Sequence, residues 1–152
     1  MTGWLRFTAP AAAVISMTAP AYAVQYLSVA EAQKLAFPSA SLTEVQAGRV
    51  WKAGSGGIFV LDHVIGKHLY IDYTVAFDTT GRVTKVDILQ YRESYGGEVR
   101  EAGWLGQFVG KTSGSALRVG SDIRNISGAT LSSLHLTEGI KKLLGTYGGK
   151  GR

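Results

Sequence analysis

Apolar and polar residues alternate most regularly between Leu69 and Phe77. Every second residue there is leucine, isoleucine, tyrosine, valine or phenylalanine. A period of two residues predicts a half-buried β-strand. The preceding run, residues 58–65, is apolar on both faces and predicts a central strand. After a turn at residues 78–81, the run 82–91 predicts a returning antiparallel strand.

A short helix is predicted near the start of the chain. Ser28 and Glu31 have the spacing of a capping box, in which each side chain accepts a hydrogen bond from the other residue's backbone. Pro38 ends this helix, because proline disfavours helical backbone in the residue before it. The polar segment that follows predicts a loop with a short strand near Val45, and residues 52–57 predict a flexible turn.

A longer helical pattern begins after residue 127. Ser127 is predicted to be its N-cap, because a serine hydroxyl accepts hydrogen bonds from first-turn amides. Lys141, Lys142 and Gly145 are typical of its C-terminus. One face of the helix carries Leu136, Ile140, Leu143 and Leu144. Thr130 then lies in or near the first turn, where free amides and the helix dipole favour a phosphate group.

The order of these elements predicts an α+β fold, with a few helices packed on one face of an antiparallel sheet. Between sheet and final helix, a Gly-Gly turn at residues 96–97 leads to a short helix near residues 100–108. Residues 111–120 predict a surface loop with a short strand at 117–119.

Composition narrows the possible chemistry. The chain has 152 residues and no cysteine, which excludes disulfides, thiolate metal sites and ordinary iron–sulfur clusters. The net charge of +5 is spread along the chain rather than clustered, so no nucleic-acid partner is expected. His63, His68 and His135 are scattered, and no metal site is expected from them. The sequence shows no paired carboxylates and no Ser-His-Asp order, so no catalytic residue is predicted.

Residues 1–23 have the features of a signal peptide. Arg6 is followed by an apolar stretch, and Ala21-Tyr22-Ala23 fits the small-x-small cleavage rule. The short apolar run and its two prolines, Pro10 and Pro20, disfavour a spanning helix. The protein is therefore expected to be exported, to the periplasm or the extracytoplasmic face of a membrane.

The segment Ile126-Ser-Gly-Ala-Thr-Leu-Ser-Ser133 carries four hydroxyls within seven residues, more than one helix cap requires. A well-capped helix start is one interpretation. The segment also resembles the flavinylation motif of the FMN-binding domain family, which has members in the sodium-pumping NADH:quinone reductase and in the Rnf electron-transport complex. In that family a flavin transferase, using FAD and magnesium, joins FMN through a phosphodiester to the residue that matches Thr130.

A second segment also resembles the family, and the motifs follow one another along the chain in the family's order. Glu93-Ser-Tyr-Gly-Gly97 resembles its flavin-lining turn, and Trp104-Leu-Gly-Gln-Phe108 resembles the segment that follows. Gly96-Gly97 also permits close backbone approach to a flat ligand, although a turn with core aromatics has the same composition. The resemblance implies an FMN-binding domain over residues 58–147, preceded by a helix and linker at 24–57.

The resemblance implies an electron carrier with FMN attached to Thr130. The residues that it implies around the phosphate are Ser127, Gly128, Ala129, Leu131 and Ser132. The residues that it implies around the flavin ring are Glu93, Ser94, Tyr95, Gly96, Gly97 and Trp104, with Tyr95 or Trp104 as aromatic cover. The implied partners are the flavin transferase and a membrane-bound or periplasmic redox protein. The domain is not expected to be an enzyme by itself.

One position departs from the family pattern. An aspartate usually precedes the motif serine by three residues, and Arg124 occupies that position here, with Asp122 the nearest acid. An alternative is therefore a module of a membrane-associated redox complex that binds a flavin or another ligand non-covalently, or that serves as a scaffold. A reductase, in which the flavin reduces a small substrate directly, is a third possibility.

Overall fold

The computed structural model describes residues 24–149, so the predicted leader lies outside the described residues. The strands are β1 (Val24–Gln25), β2 (Leu42–Gln46), β3 (Val50–Ala53), β4 (Ile58–Ile65), β5 (Tyr70–Phe77) and β6 (Val83–Tyr91). The helices are α1 (Val29–Ala36), α2 (Ala102–Leu105) and α3 (Thr130–Tyr147), with 3₁₀ turns at Gly97–Arg100 and Gly106–Phe108. Within residues 24–149, no helix combines the length and apolar character needed to cross a membrane.

The six strands form one sheet in the order β1-β6-β5-β4-β3-β2. Every neighbouring pair is antiparallel. This confirms the predicted α+β fold with an antiparallel sheet. The β5–β6 turn forms as expected, because the carboxylate of Asp78 accepts hydrogen bonds from the amides of Thr80 at 2.8 Å and Arg82 at 3.0 Å.

The sheet is covered on both faces. On one face, α3 packs against the odd-numbered residues of β5, from Ile71 to Phe77. On the other, Ala32 of α1 packs against Ala76 and Leu89. The expectation that helices cover one face only was wrong, and β5 is buried on both faces over most of its length.

The N-terminal part of the chain contains more β-strand than its polar composition predicted. The capping box of α1 is confirmed, with Ser28 and Glu31 exchanging hydrogen bonds. The strand near Val45 is confirmed as β2. Lys52 and Ala53 belong to β3 rather than to a flexible turn, because β3 is paired on both sides, with β2 and β4.

Two boundaries in the C-terminal part were also predicted wrongly. No strand forms at residues 117–119; a single bridge joins Val119 to Ile123. Helix α3 does not end at Gly145 but continues to Tyr147. Tyr147 packs against Phe77, with 6.3 Å between the ring centroids, and this contact compensates the weak helix propensity of a glycine within the last turn.

Candidate functional site

Helix α3 begins at a turn that leaves its N-terminus open. The N-cap is Ala129, and among the described residues no side chain caps the helix. The prediction that Ser127 is the N-cap was therefore wrong. The hydroxyl of Ser133 holds the turn instead, donating to the carbonyl of Ala129 at 3.1 Å and accepting from the amide of Ile126 at 3.3 Å. The turn also needs Gly128, whose φ of +81° is left-handed.

The four hydroxyls of this segment have different environments. Ser132 and Ser133 are buried, with 3% and 0% of their surface exposed. Ser127 and Thr130 are exposed. The Oγ1 of Thr130 accepts a hydrogen bond from Nδ2 of Asn125 at 3.2 Å. Thr130 is therefore an accessible hydroxyl at an uncapped helix N-terminus, and Asn125 orients it.

The second predicted segment, residues 93–97, lies directly against this turn. The hydroxyl of Tyr91 donates to the carbonyl of Tyr95, and Oγ of Ser132 lies 3.2 Å from the same hydroxyl. Burial raises the pKa of Tyr91, so its phenol stays protonated and able to donate. A Cβ at Gly96 would overlap the Cβ of Ala129. Glycine is therefore required where the two segments meet.

A third segment, the turn between β4 and β5, completes the site. The Glu93 carboxylate accepts hydrogen bonds from the amides of His68 and, at 2.7 Å, Leu69. Burial opposes the charged form of Glu93, but these bonds and one from the amide of Lys67 outweigh it and lower the pKa of Glu93 below its usual 4.5. Glu93 therefore binds the protein backbone as a carboxylate.

These three segments line a cavity of about 510 Å³. Eight of its lining residues were predicted: Glu93, Ser94, Tyr95, Gly128, Ala129, Thr130, Leu131 and Ser132. Lys67 and His68 also line it and were not predicted. Tyr95 is 83% exposed and offers an aromatic surface at the cavity. The volume lies within the range of about 300–1,000 Å³ that is usual for small-molecule sites.

The remaining predicted residues lie outside the cavity lining. Ser127 is exposed beside it, and Gly97 begins a 3₁₀ turn. Gly96 is buried behind the cavity wall, against Ala129. Trp104 is only 5% exposed, so the structure places it in the core rather than over a ligand. Its indole donates to the carbonyl of Arg124 at 2.8 Å, which supports the loop before α3.

Arg124 anchors the loop that leads into the motif. Its amide donates to Oε1 of Gln107 at 2.7 Å, and its guanidinium donates to the carbonyl of Gly103 at 3.1 Å. Asp122 does not replace the usual aspartate, because its carboxylate accepts from the amides of Leu117 at 2.9 Å and Arg118 at 2.6 Å. Both residues therefore serve the loop rather than the cavity.

Sequence reasoning missed Lys67, His68, Tyr91 and Asn125. Only Asn125, a polar side chain just before the motif, gave a local signal. Within residues 24–149, no group of three or more His, Cys, Asp or Glu side chains is arranged to hold a metal ion. Nδ1 of His135 instead lies 2.7 Å from the carbonyl of Ile65.

The Tyr91 hydroxyl gives a first test of how the two segments are joined. We expect Tyr91→Phe to lower the free energy of unfolding by about 1–2 kcal/mol, because the phenol loses two partners and Ser132 keeps a buried hydroxyl. Urea unfolding measures the change. Tyr95→Phe is the control and should change stability by less than about 0.5 kcal/mol, since its side chain is exposed. Equal effects in both variants would contradict a bridging role.

Comparison with known proteins agrees with this geometry. A family model described as FMN-binding domain matches residues 66–145, which is more than half of the chain and includes every residue that lines the cavity. A comparison with curated proteins gives no match. The open helix N-terminus suits the phosphate of FMN, and the cavity beside it suits a flavin. The chain therefore belongs to the FMN-binding domain family.

Proposed function

We propose that this protein is an extracytoplasmic electron carrier whose FMN is attached through its phosphate to Thr130. One observation carries the proposal: Thr130, which bears a hydroxyl, is exposed, lines the cavity and lies at the uncapped N-terminus of the 18-residue helix α3. A phosphate joined to this oxygen would lie beside first-turn amides that need acceptors, at the positive end of the helix dipole.

The rest of the cavity suits the other parts of FMN. The backbone of residues 128–131 would hold the phosphate. Tyr95 and Leu131, both exposed and both lining the cavity, would contact the flavin through aromatic and apolar surface. When bound, FMN supplies the redox chemistry, and the protein supplies orientation and electrostatics.

The attachment itself would need a separate flavin transferase. The new bond would join Oγ1 of Thr130 to the phosphorus on the riboflavin side of FAD. The bond from this phosphorus to the bridging oxygen would break, AMP would leave with that oxygen, and the hydroxyl proton would be released to water. The Asn125 amide would fix the oxygen by donating to it without removing its proton.

An exported location is consistent with this function. The features of residues 1–23 support export, and a covalent bond would retain the cofactor where free FMN is scarce. A carrier of this kind exchanges electrons with another redox protein, so we propose a membrane-bound or periplasmic partner.

A second candidate is a domain that binds FMN without a covalent bond, as a module of a membrane-associated redox complex. Arg124 favours it, because the residue at the usual aspartate position is bonded to Gly103 and presents a cation where the family has an acid. The two candidates share the cavity and differ in whether Thr130 becomes modified.

Peptide mapping separates them. Trypsin cleavage after Arg124 and Lys141 releases residues 125–141, which contain Thr130 and four other hydroxyl residues. In protein produced with a flavin transferase, we expect this peptide to carry the mass of FMN less one water, with fragmentation assigning it to Thr130. Flavin that dissociates from the whole protein on denaturation would favour the non-covalent module.

Arg124→Asp tests whether the usual acid matters. We expect the variant to be flavinylated faster than the wild type, because it restores the family pattern recognised by the transferase. Arg124→Ala is the control, since it loses the bond to Gly103 without adding an acid. The measurement is in-gel flavin fluorescence over time with a limiting amount of transferase. An unchanged rate in Arg124→Asp would mean that arginine is tolerated there.

A further inference from the structure

We propose that the β4–β5 turn, residues 66–69, is a separate wall of the FMN site, and that Glu93 positions this wall so that Lys67 faces the cofactor. The inference rests on FMN occupying the cavity and not on the covalent bond to Thr130. It gives Glu93 a different role from the ring contact that its sequence motif implies.

The turn is well formed at the end of a regular hairpin. Ile65 and Tyr70 are paired across β4 and β5, and the amide of Gly66 donates to the carbonyl of Leu69 at 2.8 Å. Lys67 and His68 lie at its tip and line the cavity. The tip alone has few bonds of its own, so its position depends on neighbouring segments.

Two side chains hold the turn from different directions. Glu93, which follows β6, accepts from the amides of His68 and Leu69. From α3, Nδ1 of His135 lies 2.7 Å from the carbonyl of Ile65 and 2.9 Å from that of Gly66. A Cβ at Gly66 would lie 3.1 Å from Oε1 of Glu93, so the glycine permits the close approach. The turn is therefore tied to both segments that carry the family motifs.

This arrangement has an electrostatic consequence. Reduction adds negative charge to a flavin, and a nearby cation stabilises that charge. Of the described residues that line the cavity, Lys67 is the one lysine or arginine. The negative charge of Glu93 is directed at the backbone amides of the turn, which donate hydrogen bonds to its carboxylate. Lys67 is therefore expected to raise the midpoint potential of the bound flavin, and Glu93 to maintain this effect by fixing the turn.

The first test compares two carboxylates that hold turns at opposite ends of β5. Glu93 holds the turn before β5, and Asp78 holds the turn after it in the same way. In flavin-loaded protein, we expect Glu93→Ala to change the visible flavin spectrum and to increase quenching of flavin fluorescence by iodide. Asp78→Ala should lower stability but leave both flavin signals unchanged. Glu93→Gln, which keeps an acceptor oxygen, should restore part of the wild-type spectrum.

The second test measures the charge effect directly. We expect Lys67→Gln to lower the midpoint potential of the bound flavin. The expected change in the redox equilibrium is about tenfold, which corresponds to roughly 30 mV for a two-electron couple. Lys34→Gln on α1, which packs on the other face of the sheet, removes the same charge and should shift the potential much less.

Flavin content of the wild type is measured first. A wild type without flavin would contradict the FMN site and, with it, this inference. A flavin-loaded wild type whose spectrum and quenching are unaffected by Glu93→Ala would overturn the positioning role while leaving the proposed function intact. Equal potentials in Lys67→Gln and the wild type would overturn the role of Lys67.

Discussion

Replacing Thr130 by valine is expected to abolish covalent flavin attachment while the fold is retained. Valine has nearly the shape of threonine but lacks the acceptor oxygen. Thr130 is exposed, and the interaction lost is one hydrogen bond with Asn125 at 3.2 Å. The free energy of unfolding should therefore change by less than about 1 kcal/mol. Flavin fluorescence after denaturing electrophoresis, in cells that also produce a flavin transferase, measures the attachment.

Two control variants make this result specific. Thr130→Ser keeps a hydroxyl and should retain some covalent flavin. Ser127→Ala removes the other exposed hydroxyl of the segment, three residues earlier, and should still carry covalent flavin. Covalent flavin of wild-type intensity in Thr130→Val would show that another residue is the acceptor.

Among the proposed substitutions, replacing Gly96 by alanine is expected to cause the largest loss of stability. Its φ of +85° is left-handed, and an added Cβ would overlap the Cβ of Ala129 and lie 2.7 Å from the hydroxyl oxygen of Tyr91. Backbone strain and overpacking together should lower the free energy of unfolding by about 2–4 kcal/mol. The same overlap would push the residue 93–97 segment away from α3, so the variant should also bind flavin poorly.

The neighbouring glycine provides a matched control. Gly97 begins the 3₁₀ turn, and a Cβ there would meet no atom within 4 Å. Gly97→Ala should therefore change stability by less than about 1 kcal/mol and retain flavin. Urea unfolding compares the two variants. Similar losses in both would mean that the contact between Gly96 and Ala129 is not what joins the two segments.

Local signals in the sequence were sufficient for the parts of the fold that depend on nearby residues. The β5–β6 hairpin follows from alternation and from the turn at Asp78, whose bonding partners are two and four residues away. The capping box of Ser28 and Glu31 is equally local. By contrast, β3 was missed because its stability comes from pairing with β2 and β4 rather than from its own composition.

The same distinction applies to the site. The motif around Thr130 could be recognised because its residues are consecutive. The motif placed Glu93 at the cavity, but it did not predict the bonds of its carboxylate to amides 24 and 25 residues away, because no local pattern reports such a partner. Either Tyr95 or Trp104 was predicted to cover the flavin, because aromatic residues suit both cores and ligand sites, and the structure places Trp104 in the core. Its burial against the loop of Arg124 is a tertiary contact that composition does not encode.

The failed N-cap prediction is informative for function. A serine before a helix usually caps it, but here Ser133 binds the turn from within α3, and Ser127 stays exposed. This leaves the first-turn amides uncapped by side chains in the described part of the chain. A phosphate on Thr130 would supply the missing acceptor, so the departure from the usual cap supports the proposed attachment.

The intact mass of the protein purified from its native host, under denaturing conditions, tests the central claim most directly. We expect the mass of the chain, without its leader, plus that of FMN less one water. An unmodified chain from cells in which a flavin transferase is present and active would contradict covalent attachment and favour the non-covalent FMN-binding module.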